Sequence, residues 1–418
     1  MSDLKDCLKK EEIQSQKEEE LQLNCSRLSK WKLNIWKSYL FHFFMGFHLI
    51  SGVLLHFFMN WGKLTFVEIM FLQSYFTLMI LLLEIPCGAI ADYLSRKLSL
   101  TLGAISTALA ALIYGIYPNL LIFLIGETLW AFGAALTSGT DQAFIYNTLK
   151  KLGKQDEISK VIARNRSFML FAIAISAPIG SIIAAYLSLN LVMTLMFIPF
   201  IIATLISLTL KEPKIELERK KSDNYFTIIK SGFNELKKNN ILRLLALEMI
   251  ITESLVFFLI WTYQLYLEAL NFPFFLFGFV SAAITIVQII FNNLVITLEN
   301  KCNNKRRFLQ LYTIAPGIGF ILMSVIYFIP VSIPLILVVI ALGFSRSLIF
   351  TKGINKKIET QNRATVISII NMIASLIRAV LYPIIGYFVM LNLNLIFITS
   401  GIIIIIFALL SRIKSEYL

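Results

Sequence analysis

Residues 393–410 read LNLIFITSGIIIIIFALL, a run without a single charged side chain. Its length approaches the roughly 20 residues with which an α-helix crosses about 30 Å of hydrocarbon. Comparable runs occupy residues 120–136 and 189–210. Over the whole chain 57% of residues are hydrophobic and 15% are charged, whereas soluble globular proteins carry about 25% charged residues. The sequence therefore predicts a membrane protein.

Connections of two alternating kinds join the apolar segments. The short kind contains almost no basic residue, and Lys63 is the exception. The other kind concentrates Lys and Arg, and basic residues favour the cytoplasmic side of a membrane. We therefore predict that the basic connections and both termini are cytoplasmic, and that the fold is all-α with about twelve transmembrane helices. The segments lie near residues 35–59, 64–91, 98–117, 119–149, 161–187, 189–210, 241–268, 272–298, 308–329, 331–354, 364–390 and 392–413.

The net charge of +13 raises the alternative of a nucleic-acid-binding protein. Such a protein needs a basic patch on a folded soluble domain, and no polar segment here is long enough to form one. We assign the charge to topology and to contact with anionic lipids, and expect no nucleic-acid partner. The composition is rich in Ile, Lys, Asn and Phe, which favours a bacterial chain in the cytoplasmic (inner) membrane.

The longest cytoplasmic connection divides the segments into two groups of six. The second and eighth segments both end in an acidic residue that a basic cluster follows, Asp92 with Arg96 and Lys97 in one case and Glu299 with Lys305 in the other. A parallel internal repeat produces such a similarity between the two halves and places the substrate site between them. The predicted parts are a polar tail (1–34), a first half (35–210), a cytoplasmic linker (211–240), a second half (241–413) and a short tail (414–418).

The stretch 88–97 has properties of a conformational gate. Gly88 permits close helix approach, and Asp92 lies one turn further, where a carboxylate can meet a cation or a helix N-terminus. Arg96 and Lys97 supply cations whose contacts would break when the halves separate. The alternative is an ordinary basic loop with an incidental acid.

The same stretch, GAIADYLSRK, resembles the G-x-x-x-D-x-x-G-R-K signature of the major facilitator superfamily, with Ser95 where Gly is usual. Residues 82–86 (LLEIP), 138–146 (SGTDQAFIY) and 362–368 (NRATVIS) resemble a poorly characterised bacterial branch of its permeases. The resemblance implies an alternating-access secondary transporter whose central cavity is lined mainly by helices 1, 4, 7 and 10. It also places Glu84, Asp141 and Arg363 among the candidate gating residues.

Two departures from the family patterns limit what the resemblance implies. Gln142 and Asn147 stand where that branch tends to carry further acids. Ala177-Pro178-Ile179-Gly180 departs from the G-P-x-x-G-G pattern of drug/proton antiporters, because its glycine comes one residue too early.

Charged residues within apolar segments are hypotheses for functional sites, because a charge at membrane depth costs several kcal/mol. Glu127 and Glu253 are candidate proton carriers, and Arg378 and Arg346 are candidate ligands of an anionic solute. The alternative is a structural ion pair, Glu127–Arg378 for example, with Arg346 reaching the cytoplasmic surface.

Two further polar residues are candidates for the cavity. All three histidines lie in the first segment, but His42 and His56 are roughly 21 Å apart on one helix, so the three cannot bind one metal ion. His48 is the candidate proton carrier among them. Gln264, near the outer end of the seventh segment, is expected to face protein or the cavity rather than lipid.

Taken together, the sequence predicts a secondary active transporter for a small organic solute, proton-coupled, and favours export. The alternatives are a proton- or sodium-coupled uptake permease for a nutrient or siderophore-like metabolite and, in another class, a membrane sensor with a transporter-like body. No convergent set of catalytic groups and no nucleotide-binding G-x-x-x-x-G-K-[ST] motif occurs. We therefore predict a monomer that is not an enzyme and needs no cofactor or metal, with the lipid bilayer and protons as partners.

Overall fold

The computed structural model describes residues 31–213, 225–358 and 363–417, which are mostly helical and contain no strand. Eleven of the described helices are long and apolar enough to cross a membrane. The first helix, α1, makes the twelfth and is broken into pieces. The helices are α1 (31–45, then Leu49–Gly52, Leu54–His56 and Phe57–Trp61), α2 (Phe66–Tyr93), α3 (Arg96–Ile116), α4 (Leu120–Thr137 and Thr140–Lys151), α5 (Ile158–Tyr186), α6 (Leu189–Leu195 and Phe197–Leu208), a linker helix (Tyr225–Lys238), α7 (Asn240–Ala269), α8 (Phe277–Lys301), α9 (Lys305–Val325), α10 (Ile329–Lys357), α11 (Arg363–Leu391) and α12 (Leu393–Leu410).

Polar side chains cap many of these helices and allow their short connections. Thr65 and Glu68 form a reciprocal capping box at the start of α2, which satisfies two backbone N–H groups that the helix itself leaves free. Asn119 accepts from the Leu121 amide at the start of α4, and Asn239 accepts from two amides at the start of α7. Caps of this kind let one helix end and the next begin within a few residues.

The helices form two bundles, α1–α6 and α7–α12, and we call the side where the linker helix lies the linker face and the opposite side the distal face. The bundles meet along two main seams, one between α2 and α11 and the other between α5 and α8, with α1 against α8. Glycine residues allow α1, α5 and α8 to pack closely at the second of these seams. A Cβ atom on Gly52 would lie 2.5 Å from the Cα of Gly278, and one on Gly278 would collide with the backbone oxygen of Ala177. Glycine at these two positions therefore brings the backbones of the two bundles into direct contact. Gly180 does the same within the first bundle, where its Cβ would collide with the Leu49 carbonyl oxygen.

The apolar core shows that the two faces differ. One cluster of buried side chains contains residues of both bundles, among them Leu55, Met70, Phe258 and Phe277. Towards the linker face each bundle has a cluster of its own, built around residues such as Phe144 in the first and Phe350 in the second. The bundles are thus sealed together on the distal side and separate towards the linker face.

Three of the predicted continuous helices are interrupted. The sixth, expected over 189–210, divides at Met196. The first apolar segment, expected as one helix over 35–59, is a regular α-helix only as far as residue 45. It continues as a 3-10 helix at Leu49–Gly52 and ends as a π-helix at Phe57–Trp61. A Cβ on Gly46 would lie 2.6 Å from the Met169 carbonyl oxygen, so α1 bends where it meets α5. The fourth segment, expected over 119–149, breaks at Gly139, whose φ of 71° ends the first half of α4. The predicted linker 211–240 contains a helix, Tyr225–Lys238.

Candidate functional site

The first candidate site is a large cavity of about 540 Å³ between the two bundles. Its wall contains residues of α1, α5, α7, α8, α10 and α11. It runs from Ser51 and Tyr263 near the distal seal to Arg166 and Asn292, which lie nearer the linker face. Because the bundles separate only towards that face, the cavity is accessible from the linker side.

Two of the predicted charged residues, Glu253 and Arg378, lie in the wall of this large cavity. Glu253 belongs to α7 and Arg378 to α11, and each is about 20 Å from the linker-side end of its helix. The Arg378 guanidinium lies 5.4 Å from the centre of the Phe257 ring and donates to the Ser375 hydroxyl at 3.2 Å. Within the described residues, no ion pair joins Arg378 to Glu253 or to Glu127, so the structural pair Glu127–Arg378 is not formed here.

Glu127 lines a second and smaller cavity of about 190 Å³, whose wall belongs to the first bundle except for one residue. Its side chain is only 4% exposed. The Gln73 amide donates to its Oε1 at 3.2 Å, and the Tyr114 hydroxyl lies within reach of the same carboxyl. Aromatic rings, including Trp130 and that of Trp261 from the second bundle, form much of the remaining wall. Within the described part of the chain no basic side chain pairs with Glu127.

His48 connects the Glu127 cavity to the linker side. It lines both that cavity and a third one of about 400 Å³, and Trp130 does the same. The third cavity also contains His42 and Asp141, whose Nε2 and Oδ2 atoms are 3.1 Å apart. His48 directly precedes the Leu49–Gly52 turn of α1. Irregular backbone at membrane depth occurs where it lines a cavity, and the break in α1 fits that rule.

Arg346, a predicted solute ligand, does not line any of the three cavities. Its guanidinium lies 3.6 Å from the Glu248 carboxylate, with exposures of 3% and 7% for the two side chains. It also donates to the Thr313 hydroxyl and lies 4.3 Å from the centre of the Phe350 ring. Arg346 is thus held inside the second bundle as a structural ion pair.

Gln264 lies in the distal contact between the bundles rather than in the large cavity. Its Oε1 accepts from the Leu55 amide at 3.2 Å and is 3.4 Å from Nδ1 of His56. The His56 Nε2 atom is 3.7 Å from the Glu268 carboxylate. These contacts join α1 to α7 and help to close the distal side.

The predicted gating residues are spread over the linker face. Arg96 donates to the Ala143 carbonyl at 2.9 Å, and the backbone amides of Arg96 and Lys97 donate to the Glu212 carboxylate. These contacts stay within the first bundle. A Cβ on Gly88 would meet nothing within 4 Å, and Glu84 is exposed. The side chains of Asp92 and Arg363 lie outside the described residues.

Several residues that the fold brings to the sites are not identified by the sequence analysis. Gln73 and Tyr114 approach Glu127, and Ser51 and Arg166 line the large cavity. The sequence alone assigns Arg166 to the basic residues of the connection before the fifth segment. In the structure α5 begins at Ile158, so Arg166 lies about two turns inside the helix. Its place within the predicted apolar segment 161–187 could have identified it as a candidate site residue. Among the described residues, no group of His, Cys, Asp and Glu side chains could hold a metal ion.

Comparison with known proteins gives the family and the fold. The model of the Major Facilitator Superfamily matches residues 35–380. No curated protein matches the chain. Among solved structures, the nucleoside transporter NupG has a TM-score of 0.73 at 16% identity, covering 91% of this chain and 97% of its own.

Two other solved structures are similar. A D-xylose-proton symporter gives a TM-score of 0.69 at 11% identity, covering 92% of this chain and 98% of its own. A bacterial homologue of the human lysosomal transporter Spinster, in an inward-facing and unoccupied conformation, gives 0.70 at 14% identity, covering 93% and 96%. At these identities the likeness shows the fold, and the family model shows the membership. The chain is a multi-pass membrane protein that belongs to the Major Facilitator Superfamily, whose members are transporters and not enzymes.

Proposed function

We propose that the protein is a proton-coupled secondary transporter that moves a small organic solute by alternating access, with Glu127 as the proton carrier. The observation that carries the proposal is the isolation of this carboxyl. Glu127 is buried and has hydrogen-bond donors but no described cationic partner. An ionised carboxylate in such a place costs several kcal/mol unless a cation compensates it. A transferable proton removes that cost.

The surroundings of Glu127 support a proton route towards the linker face. His48 and Trp130 lie in the walls of both the Glu127 cavity and the cavity that contains His42 and Asp141. Histidine exchanges protons in the physiological pH range. A proton can therefore pass between Glu127 and the linker side through His48 without crossing the large cavity, where the solute would bind.

The orientation and direction are part of the same proposal. The linker face carries the basic connections, so we place it in the cytoplasm. The linker-open arrangement is then the state in which a cytoplasmic solute enters. In the export direction that the sequence favours, a proton taken up from the distal side leaves Glu127 towards the cytoplasm as the solute binds. One chain contains the whole cavity, which supports a functional monomer.

The test begins by identifying the cargo. Metabolites of cells and medium are profiled in a deletion strain and in an overexpressing strain. A compound that accumulates inside the deletion strain and outside the overexpressing strain identifies the cargo of an exporter, and the opposite distribution identifies uptake. Purified protein in proteoliposomes is then assayed with that cargo for accumulation driven by a pH gradient and for exchange without a gradient.

We expect Glu127→Gln to lose gradient-driven accumulation and to retain exchange, since the amide mimics a permanently protonated carboxyl. Glu157→Gln is the matched control, because Glu157 is an exposed acid that pairs with Lys154 at the surface. Accumulation by Glu127→Gln at the rate of that control would refute the assignment. Tryptophan fluorescence gives a second readout, since Trp130 and Trp261 adjoin Glu127, and its pH titration should vanish in Glu127→Gln only.

A further inference from the structure

We propose that the large cavity binds an amphoteric solute, one that carries both a primary ammonium and a carboxylate, as amino acids and short peptides do. The inference rests on the proposed transport function and names its substrate class. It begins from two opposite charges in one cavity wall, Glu253 on α7 and Arg378 on α11.

These two charges lack the partners that the other membrane-depth charges of the second bundle have. Glu248 and Arg346 compensate each other within 3.6 Å, only about one turn of α7 away from Glu253. Glu253, by contrast, has no described hydrogen bond or contact ion pair, and the positive charges of Arg378 and Arg346 act on it only across a distance. Arg378 donates to Ser375 on its own helix. Unpaired charges at this depth are costly, so their retention beside a cavity indicates a ligand that compensates them.

The Phe257 ring adjoins both charges in the cavity wall. Phe257 follows Glu253 by one helical turn on the same face, and the Arg378 guanidinium lies 5.4 Å from the Phe257 ring centre. A solute with charges at two ends can extend across that ring and meet both side chains. Ser51 lines the same cavity, and its hydroxyl oxygen is buried without a hydrogen-bond partner. A small rotation of this side chain would offer the hydroxyl to a polar ligand.

Charge balance excludes the simpler classes. A neutral sugar or nucleoside would leave both charges without an ionic partner in direct contact. An organic cation would leave Arg378 unpaired and would also meet Arg166, which lines the route from the linker face. An organic anion would leave Glu253 unpaired in a site closed to bulk water on the distal side. An amphoteric solute satisfies both, and Arg166 attracts its carboxylate to the entrance.

The experiment measures binding to the purified full-length protein in detergent, without any gradient. The probes are the standard amino acids and a library of di- and tripeptides, and each ligand found is compared with its decarboxylated amine and its deaminated acid. Affinity is read from the shift in melting temperature with ligand concentration. We expect amphoteric ligands that bind at least about tenfold more tightly than either analogue, since each lost charge-assisted contact costs about 1.5–3 kcal/mol.

Two variants assign the contacts. Glu253→Gln should remove the preference of the amphoteric ligand over its deaminated acid, and Arg378→Gln should remove its preference over the decarboxylated amine. Melting temperatures without ligand show that each variant is folded, and Glu157→Gln should bind as the unmodified protein does. No binder among the amphoteric probes, or equal affinity for a singly charged analogue, overturns the proposal.

The outcomes separate this inference from proton coupling. Selective binding together with intact accumulation by Glu127→Gln would refute the proton carrier and support the substrate class. Loss of accumulation in Glu127→Gln without any amphoteric binder would do the reverse.

Discussion

Replacing Gly52 by alanine should shift the protein away from the linker-open state. The new Cβ would lie 2.5 Å from the Cα and 2.8 Å from the N of Gly278, about 1 Å short of the ordinary contact distance between carbon atoms. Both colliding atoms are backbone, so no side-chain rotation relieves the overlap, and α1 must move away from α8. Overpacking of this kind costs about 1–3 kcal/mol.

That cost applies only where the distal seam is closed. In an arrangement that is open on the distal side, the backbones of α1 and α8 lie further apart, and the methyl group of the alanine no longer collides with Gly278. The substitution should therefore raise the ratio of distal-open to linker-open molecules by about 5–150-fold, the equivalent of 1–3 kcal/mol.

Thiol labelling of a buried cysteine measures this ratio. Met70 is 0% exposed and packs at Gly386 of α11, in the other seam on the distal side. In a background without the four native cysteines, the labelling rate of Met70→Cys by a membrane-impermeant maleimide reports how often that side opens. We expect Gly52→Ala to increase the rate by the factor given above.

Glu157→Gln is the control, because it changes a surface side chain that pairs with Lys154 and belongs to neither seam. A second reporter, Ala104→Cys, lies buried within the first bundle and detects unfolding instead of opening. Equal Met70→Cys labelling in Gly52→Ala and Glu157→Gln would refute the reasoning, as would a parallel increase at Ala104→Cys.

Two further predictions concern stability and are read from thermal unfolding in detergent. Arg346→Ala should lower the free energy of unfolding by about 3–5 kcal/mol, because it leaves Glu248 charged and buried, whereas Arg346→Met with Glu248→Leu should recover most of that loss; equal destabilisation by both would contradict the structural role. Gly139→Ala should cost about 1–2 kcal/mol through its left-handed backbone alone, since open space surrounds it, and a melting temperature equal to that of Gly88→Ala would show that no such strain exists.

The charged residues show how far sequence reasoning reaches. Arg346 and Arg378 are each a single arginine in an apolar helix, and the sequence treats them alike. The structure separates them, because α7 places the Glu248 carboxylate beside Arg346 and leaves Arg378 at a cavity. Likewise, an isolated Glu127 is visible in the sequence, but its approach by Gln73 and Tyr114 depends on how α2 and α3 pack against α4.

The apolar runs of the sequence are sufficient to predict a chain that spans a membrane through about twelve helices, since a helix must satisfy its own backbone in lipid and its length follows from bilayer thickness. The sequence also indicates the two halves and the family. The breaks in α1 and α4, the closed face and the pairing of charges are visible in the folded protein alone. These features depend on contacts such as Gly52 against Gly278, between residues far apart in the chain. In lipid such contacts come from close packing of small residues rather than from an apolar pattern along the helix, and a nearly uniform apolar sequence does not reveal them.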